Sequence, residues 1–98
     1  MQVIVEFTIV PIGIGTSVSK YVAMCVKLIQ SAGLTYELHG YGTNIQGDWD
    51  VVLNVIKLCH EKLHAQGVPR IHTNLKIGTR NDREQTITDK VDSVRKKL

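Results

Sequence analysis

The sequence predicts a single α+β domain spanning residues 1–98, of β-α-β-β-α-β order with an additional C-terminal helix. Three observations carry that expectation. β-branched residues crowd the first ten positions, two later segments repeat apolar residues at helical spacing, and glycine or proline punctuates nearly every change of period. Ninety-eight residues suffice for one hydrophobic core but not for two lobes with a cleft between them.

Taken in order, QVIVEFTIVP is rich in β-branched residues and reads as a buried first strand, which Pro11 is expected to end because proline cannot donate to a ladder. The turn GIGTS follows, and Thr16 or Ser17 is expected to cap a helix beginning at about Val18. Val18, Val22, Cys25, Val26 and Ile29 then recur at 3.6-residue spacing as one apolar stripe, and Gly33 stops it. TYELHGYG reads as a second strand and TNIQG as a short third, with Gly40 and Gly42 at a bend or bulge between them. Asp48 is placed to cap a second helix with Trp49 in its first turn. The stripe of that helix is Val52, Val55, Ile56, Cys59 and Leu63, and Gly67 with Pro69 ends it. RIHTNLKIG is a fourth strand with Ile71, Thr73, Leu75 and Ile77 on one face. TRNDREQ is a polar loop, and TITDKVDSVRKKL closes the chain as a helix with Ile87, Val91 and Val94 along one side. Two helices on one face of a four-stranded antiparallel sheet is the ferredoxin-like arrangement. The other face, or an unpaired edge, is then a place for self-association, unless the last helix covers part of it.

Composition narrows the function classes. A net charge of +3, with its excess in the terminal RKKL and only 5% aromatic residues, lacks the clustered basic and aromatic face of a nucleic-acid binder. Cys25 and Cys59 have no C-x-x-C spacing and give neither a disulfide framework nor a zinc set. The apolar start contains Glu6 and lacks the basic opening of a signal peptide, and no apolar run approaches the roughly 18 residues needed to span a bilayer. The expectation is a cytoplasmic protein with reduced thiols, no membrane partner and no nucleic-acid partner.

HEKLH, residues 60–64, matches H-E-x-x-H, in which a helix presents two zinc ligands and a general-base glutamate. Catalytic zinc needs three protein ligands, however. The longer form of the pattern would take its third from position 70, where Arg70 is a cation. His72 falls on the strand face opposite Ile71, turned away from His60 and His64. The pattern then reads as the flank of a packing helix, with no metal expected. A zinc metalloenzyme through His60, Glu61 and His64 stands as a remote alternative. GIGTS lacks the third glycine of a dinucleotide loop and the Gly-Lys-Ser/Thr ending of a phosphate loop, so it reads as a turn. Neither Ser17 nor either cysteine has a histidine at a readable spacing, so no catalytic residue is assigned and an enzyme is not expected.

GYGTNIQGDW is denser in unusual residues than any other stretch. Its glycines admit close backbone approach, Thr43, Asn44 and Gln46 supply neutral donors and acceptors, and Trp49 offers an aromatic face. Those parts suit the edge and face of a flat heterocycle. They equally suit a glycine-bent hairpin beside a core tryptophan.

The combination VPIGIGTSVSKYVA, GLTYELHGYGTNIQGDWD and RIHTNLKIGTRNDREQTITDKVDSV resembles the thiamine-binding, ferredoxin-like family over nearly the whole chain, and the TRNDREQT-then-DKVDSV ending looks most like its fungal branch. The resemblance implies homodimers or homotetramers built through the sheets. It also implies non-catalytic binding, without a cofactor, of thiamine or its hydroxymethylpyrimidine moiety at a subunit boundary. By position, the turn from Gly13 to Ser17 and the hairpin from Gly42 to Gly47 would line that site, with Gly13, Thr16, Ser17, Gly42, Thr43 and Gln46 in contact, Trp49 beside them and Arg80 nearby. Two positions depart from the family pattern. Gln46 stands where many relatives carry glutamate, and no acidic residue occupies positions 78 and 79 before Arg80. Thiamine is a cation, so the loss of two carboxylates shifts the balance toward a neutral pyrimidine or an anionic phosphate ester. A structural or regulatory interaction module without a working ligand site is the alternative from a different class.

Overall fold

The computed structural model describes residues 1–98 as a four-stranded antiparallel sheet and three helices. In chain order these are β1 (Gln2–Ile12), α1 (Ser19–Ser31), β2 (Thr35–His39), β3 (Gly42–Asp48), α2 (Trp49–Ala65), β4 (Arg70–Gly78) and α3 (Ile87–Arg95). The strands lie in the order β2-β3-β1-β4, so the two longest, β1 and β4, pair with each other and β2 forms the short outer edge.

Side-chain alternation divides the sheet cleanly. Val3, Val5, Phe7 and Ile9 of β1 are buried against the helices together with Ile45 of β3. From α1 come Tyr21, Cys25 and Ile29, and from α2 come Val52, Val55, Ile56, Cys59 and Leu63. The α2 stripe is the one its spacing predicts. In α1 the stripe is rotated: Tyr21 is buried, while Val18, Val22 and Val26 are only half-buried. Each large side chain fully removed from water here contributes about 1.5–3 kcal/mol of transfer free energy.

Two local expectations need correction. Pro11 does not end β1, which runs on to Ile12. Pairing with β3 stops at Phe7↔Thr43, whereas pairing with β4 continues through Pro11↔Ile71 to Ile12↔Arg70. Beyond Phe7 the strand has a neighbour on one side only, and a proline is tolerated there as at any sheet edge. Nor do Thr16 and Ser17 cap α1. Its N-cap is Val18, without a side-chain hydrogen bond, and the helix starts at Ser19.

The cap of α2 is the one the sequence predicts, and α3 is capped by its own side chains. Asp48 accepts from the Asp50 N–H at 3.1 Å to open α2. At α3 Thr86 and Asp89 form a reciprocal capping box, each bond at 3.0 Å. Gly67, with φ +93°, reverses the chain after α2. Only Ile87 of α3 is buried, and Val91 and Val94 remain exposed. The helix therefore projects from the sheet. The Cα radius of gyration is 14.5 Å, against about 13 Å for a compact chain of this length, and the extents are 44 × 30 × 20 Å.

Candidate functional site

The face of the sheet turned away from α1 and α2 is where polar and charged side chains accumulate. Partners in register share a face, so the pairings define rows across it. Thr35, Gln46, Ile4 and Gly78 make one row, and Glu37, Asn44, Glu6 and Lys76 the next. No helix of the β-α-β-β-α-β portion reaches these residues. The chain returns to them only through the loop after β4 and the start of α3. There the Ile87 N–H donates to Gln46 Oε1 at 2.7 Å, fixing the amide and leaving its NH2 group free of that contact. Between sheet, loop and helix lies an open groove of about 1130 Å³ whose walls include Glu6, Asn44, Gln46, Lys76, Arg80 and Lys90.

A third row adds a histidine. His39 pairs with Gly42, and with no side chain at 42 its imidazole reaches across the strand toward Glu6. His39 Nδ1 accepts from the Tyr41 N–H at 3.3 Å, which assigns the ring proton of the neutral form to Nε2. Nε2 is buried without a hydrogen-bond partner, and the nearest carboxylate oxygen is Glu6 Oε2 at 3.7 Å. Gly42 itself is required by close packing against β1. A Cβ there would lie 2.6 Å from the Phe7 carbonyl oxygen and 2.8 Å from Thr8 Oγ1.

The residues proposed from sequence do not gather in one place within a single chain. Gln46 and Arg80 line the open-face groove. Thr43 lies three positions from Gln46 on the same strand and so points to the opposite face, where it is 4% exposed. With Gly42 it lines a separate cavity of about 240 Å³ between β1, the β2–β3 hairpin and α1. Gly13, Thr16 and Ser17 sit in the exposed β1–α1 turn, outside both spaces. Gly13 has φ +89°, and a Cβ on it would be 3.2 Å from the Pro69 ring. Trp49 is half-buried against the core, with its backbone N–H donating to the Met1 carbonyl at 2.8 Å. Arg80 is already engaged. Its Nε and Nη2 fork onto Asp82 at 2.5 and 2.8 Å, an exposed pair that holds the Asp82 carboxyl down to about 2 and raises the Arg80 guanidinium.

Sequence patterning picks out Asn44 among the polar groups of the hairpin, but it does not single out Glu6, His39 and Lys76 as site residues. Glu6 carries a usable signal: a carboxylate between Val5 and Phe7 in a strand with a buried odd face must stand on the even one.

The HEKLH stretch is built into packing. His60 Nε2 is 2.6 Å from Thr73 Oγ1, and His64 Nδ1 donates to the Val68 carbonyl at 2.8 Å. The ring centroids are 6.4 Å apart, and no third histidine, cysteine or carboxylate joins them in a metal-binding group. Burial lowers the His60 pKa first, and the neighbouring His64 adds to it. His72 is exposed, next in sequence to Thr73 and on the other side of the sheet. No helix is long and apolar enough to cross a membrane.

Comparison with known proteins adds identity to this geometry. The family profile described as thiamine-binding protein matches residues 5–95. The UPF0045 protein sll0230 of Synechocystis is 53% identical over 96% of this chain and 78% of its own length. The fungal UPF0045 protein ECM15 of Eremothecium gossypii is 43% identical over 100% of this chain and 94% of its own. The crystal structure of MJ1052 from Methanocaldococcus jannaschii superposes with a TM-score of 0.89 at 35% identity, covering 96% of both chains. A candidate thiamine biosynthesis/salvage protein, TM0486 of Thermotoga maritima, shares the fold with a TM-score of 0.82 at 23% identity, over 97% of this chain and 100% of its own.

Proposed function

The chain belongs to the thiamine-binding protein family, and from that membership we propose that it is a non-catalytic cytoplasmic binding protein for thiamine or its hydroxymethylpyrimidine moiety. The ligand lies in the open-face groove, at a boundary between subunits of a homo-oligomer. One observation carries this reading: Gln46, Asn44 and Glu6 stand side by side on the sheet face turned away from α1 and α2, inside a groove large enough for a small heterocycle. Gln46, its oxygen held by Ile87, presents amide N–H groups to a ring nitrogen, and Asn44 offers both a donor and an acceptor. Glu6 restores the negative charge that Gln46 does not provide. A carboxylate about 4 Å from a unit cation gains about 4 kcal/mol at an effective dielectric of about 20, before desolvation is subtracted.

The element order with strands in the order β2-β3-β1-β4 supports reading the domain as a ferredoxin-like sandwich with an added C-terminal helix. Exposed Val10 and Ile12 on the open face, and Val91 and Val94 on the projecting helix, support assembly of two or four copies through those surfaces.

Calorimetric titration with thiamine and with hydroxymethylpyrimidine, on protein whose oligomeric mass has been fixed by native mass spectrometry, tests the reading. Heat of binding with at least one of the two is expected, and Glu6→Gln weakens the thiamine interaction more than that of the neutral pyrimidine. Absence of heat with both ligands on the verified oligomer would overturn it.

A further inference from the structure

Cys25 and Cys59, which the binding reading does not use, face each other across the α1–α2 contact. Cys59 is fully buried, and its thiol donates to the Cys25 carbonyl oxygen at 3.9 Å. That contact brings together two cysteines that are 34 positions apart in the chain. Their surroundings differ in one respect. Cys25 forms part of the wall of the 240 Å³ cavity under the β2–β3 hairpin, and Cys59 does not. That cavity is rimmed by Leu38 and Tyr41, both strongly exposed, so a small uncharged molecule entering beneath the hairpin meets Cys25 first.

We propose that Cys25 is a modification site for small hydroperoxides and that Cys59 resolves it, closing an intramolecular disulfide between α1 and α2. The Cys25 sulfur, as thiolate, attacks the terminal hydroperoxide oxygen. The S–O bond forms, the O–O bond breaks, and the leaving alkoxide or hydroxide takes up the proton Cys25 gave, departing as alcohol or water. Cys25 is then a sulfenic acid. The Cys59 sulfur attacks it, the S–S bond forms, the S–O bond breaks, and hydroxide leaves with the Cys59 proton as water. In total two thiols lose two electrons and two protons to one hydroperoxide. The assignment of roles rests on access: Cys25 stands in the wall of the cavity, whereas Cys59 is fully buried outside it. The mixed polarity of the cavity fits the class of oxidant: buried Thr43 and a largely apolar wall admit a small neutral hydroperoxide and disfavour a charged disulfide such as oxidised glutathione.

The test is to treat the native full-length chain with hydrogen peroxide and read intact mass, with peptide mapping under non-reducing conditions. The wild type is expected to lose two hydrogen atoms and to yield one cross-linked peptide pair joining Cys25 to Cys59. In Cys59→Ala, whose folding is verified by circular dichroism, dimedone is expected to add once, at Cys25. The wild-type peptide map decides the matter by itself if that variant fails to fold. Native protein whose two thiols are both still alkylated after peroxide treatment and unfolding would overturn the proposal. So would disulfides found only between copies, or dimedone addition at Cys59 in Cys25→Ala at the rate seen for Cys25.

Discussion

Replacing Gly42 with alanine separates local propensity from tertiary packing, because the two predict opposite signs. Gly42 is a strand residue without positive φ. On propensity alone, alanine there gains about 0.5–1 kcal/mol by restricting the unfolded chain. The structure predicts a loss. The new Cβ would sit 2.6 Å from the Phe7 carbonyl oxygen, a backbone atom of the central strand that cannot rotate away. Forcing β1 and β3 apart falls within the cost of overpacking, about 1–3 kcal/mol. The same Cβ lies 2.8 Å from Thr8 Oγ1, whose hydrogen bond to the Tyr41 carbonyl at 2.9 Å pins the hairpin tip, and losing that bond costs a further ~1 kcal/mol. A net destabilisation of about 2 kcal/mol is expected, which lowers the melting temperature of a domain this size by about 8–16 °C. Urea unfolding followed by far-ultraviolet circular dichroism, at fixed protein concentration, measures it as a reduced midpoint with an unchanged slope. Gly40→Ala is the control. A Cβ at position 40 would meet nothing within 4 Å and the φ there is not positive, so its stability should match or exceed wild type. Gly42→Ala at wild-type stability or above would refute the close-approach account of the hairpin.

Truncating Leu63 to alanine removes a fully buried side chain from the α2 stripe, and a loss of about 2–5 kcal/mol in urea unfolding is expected. Thr86→Ala opens the capping box and should cost about 1 kcal/mol, read as faster amide exchange at Asp89 and the first turn of α3 with little change in the sheet. Asp89 is held below its ordinary 3.8, first by the Thr86 backbone N–H. Its contribution is therefore fully present above 3.8 and lost as pH falls through the depressed folded value, which exchange at Thr86 across that range would report. His60 is also depressed, from 6.5, and is held neutral by burial. Stability from its contact with Thr73 is complete above 6.5 and declines as pH falls through the folded value, so His60→Gln should flatten the pH dependence of unfolding in that window.

Much of the fold is legible in the chain because it rests on local periodicity. The α2 stripe, the Asp48 cap, the Gly67 stop and the fourth strand each follow from residues within one or two turns of each other. HEKLH is legible for the same reason: strand alternation sets His72 on the far side of the sheet, and Arg70 occupies the position where a third ligand would be needed. What misleads is neighbourhood in space. Pro11 stays within β1 because β3 stops pairing at Phe7, and the end of one strand does not reveal where its neighbour ends. The candidate site shows the same limit. GYGTNIQGDW supplies polar groups next to one another in sequence, yet a pleated strand sends Thr43 and Gln46 to opposite faces, one into a cavity beneath the helices and one into an open groove. Glu6, from the far end of the chain, stands beside Asn44 only because β1 and β3 are in register. By itself the sequence determined the elements, their order and the family, since all three are written in short-range pattern. Only the tertiary structure decided which polar side chains share a surface and that the two cysteines meet, because pairing register and helix docking are set by contacts between residues distant in the chain.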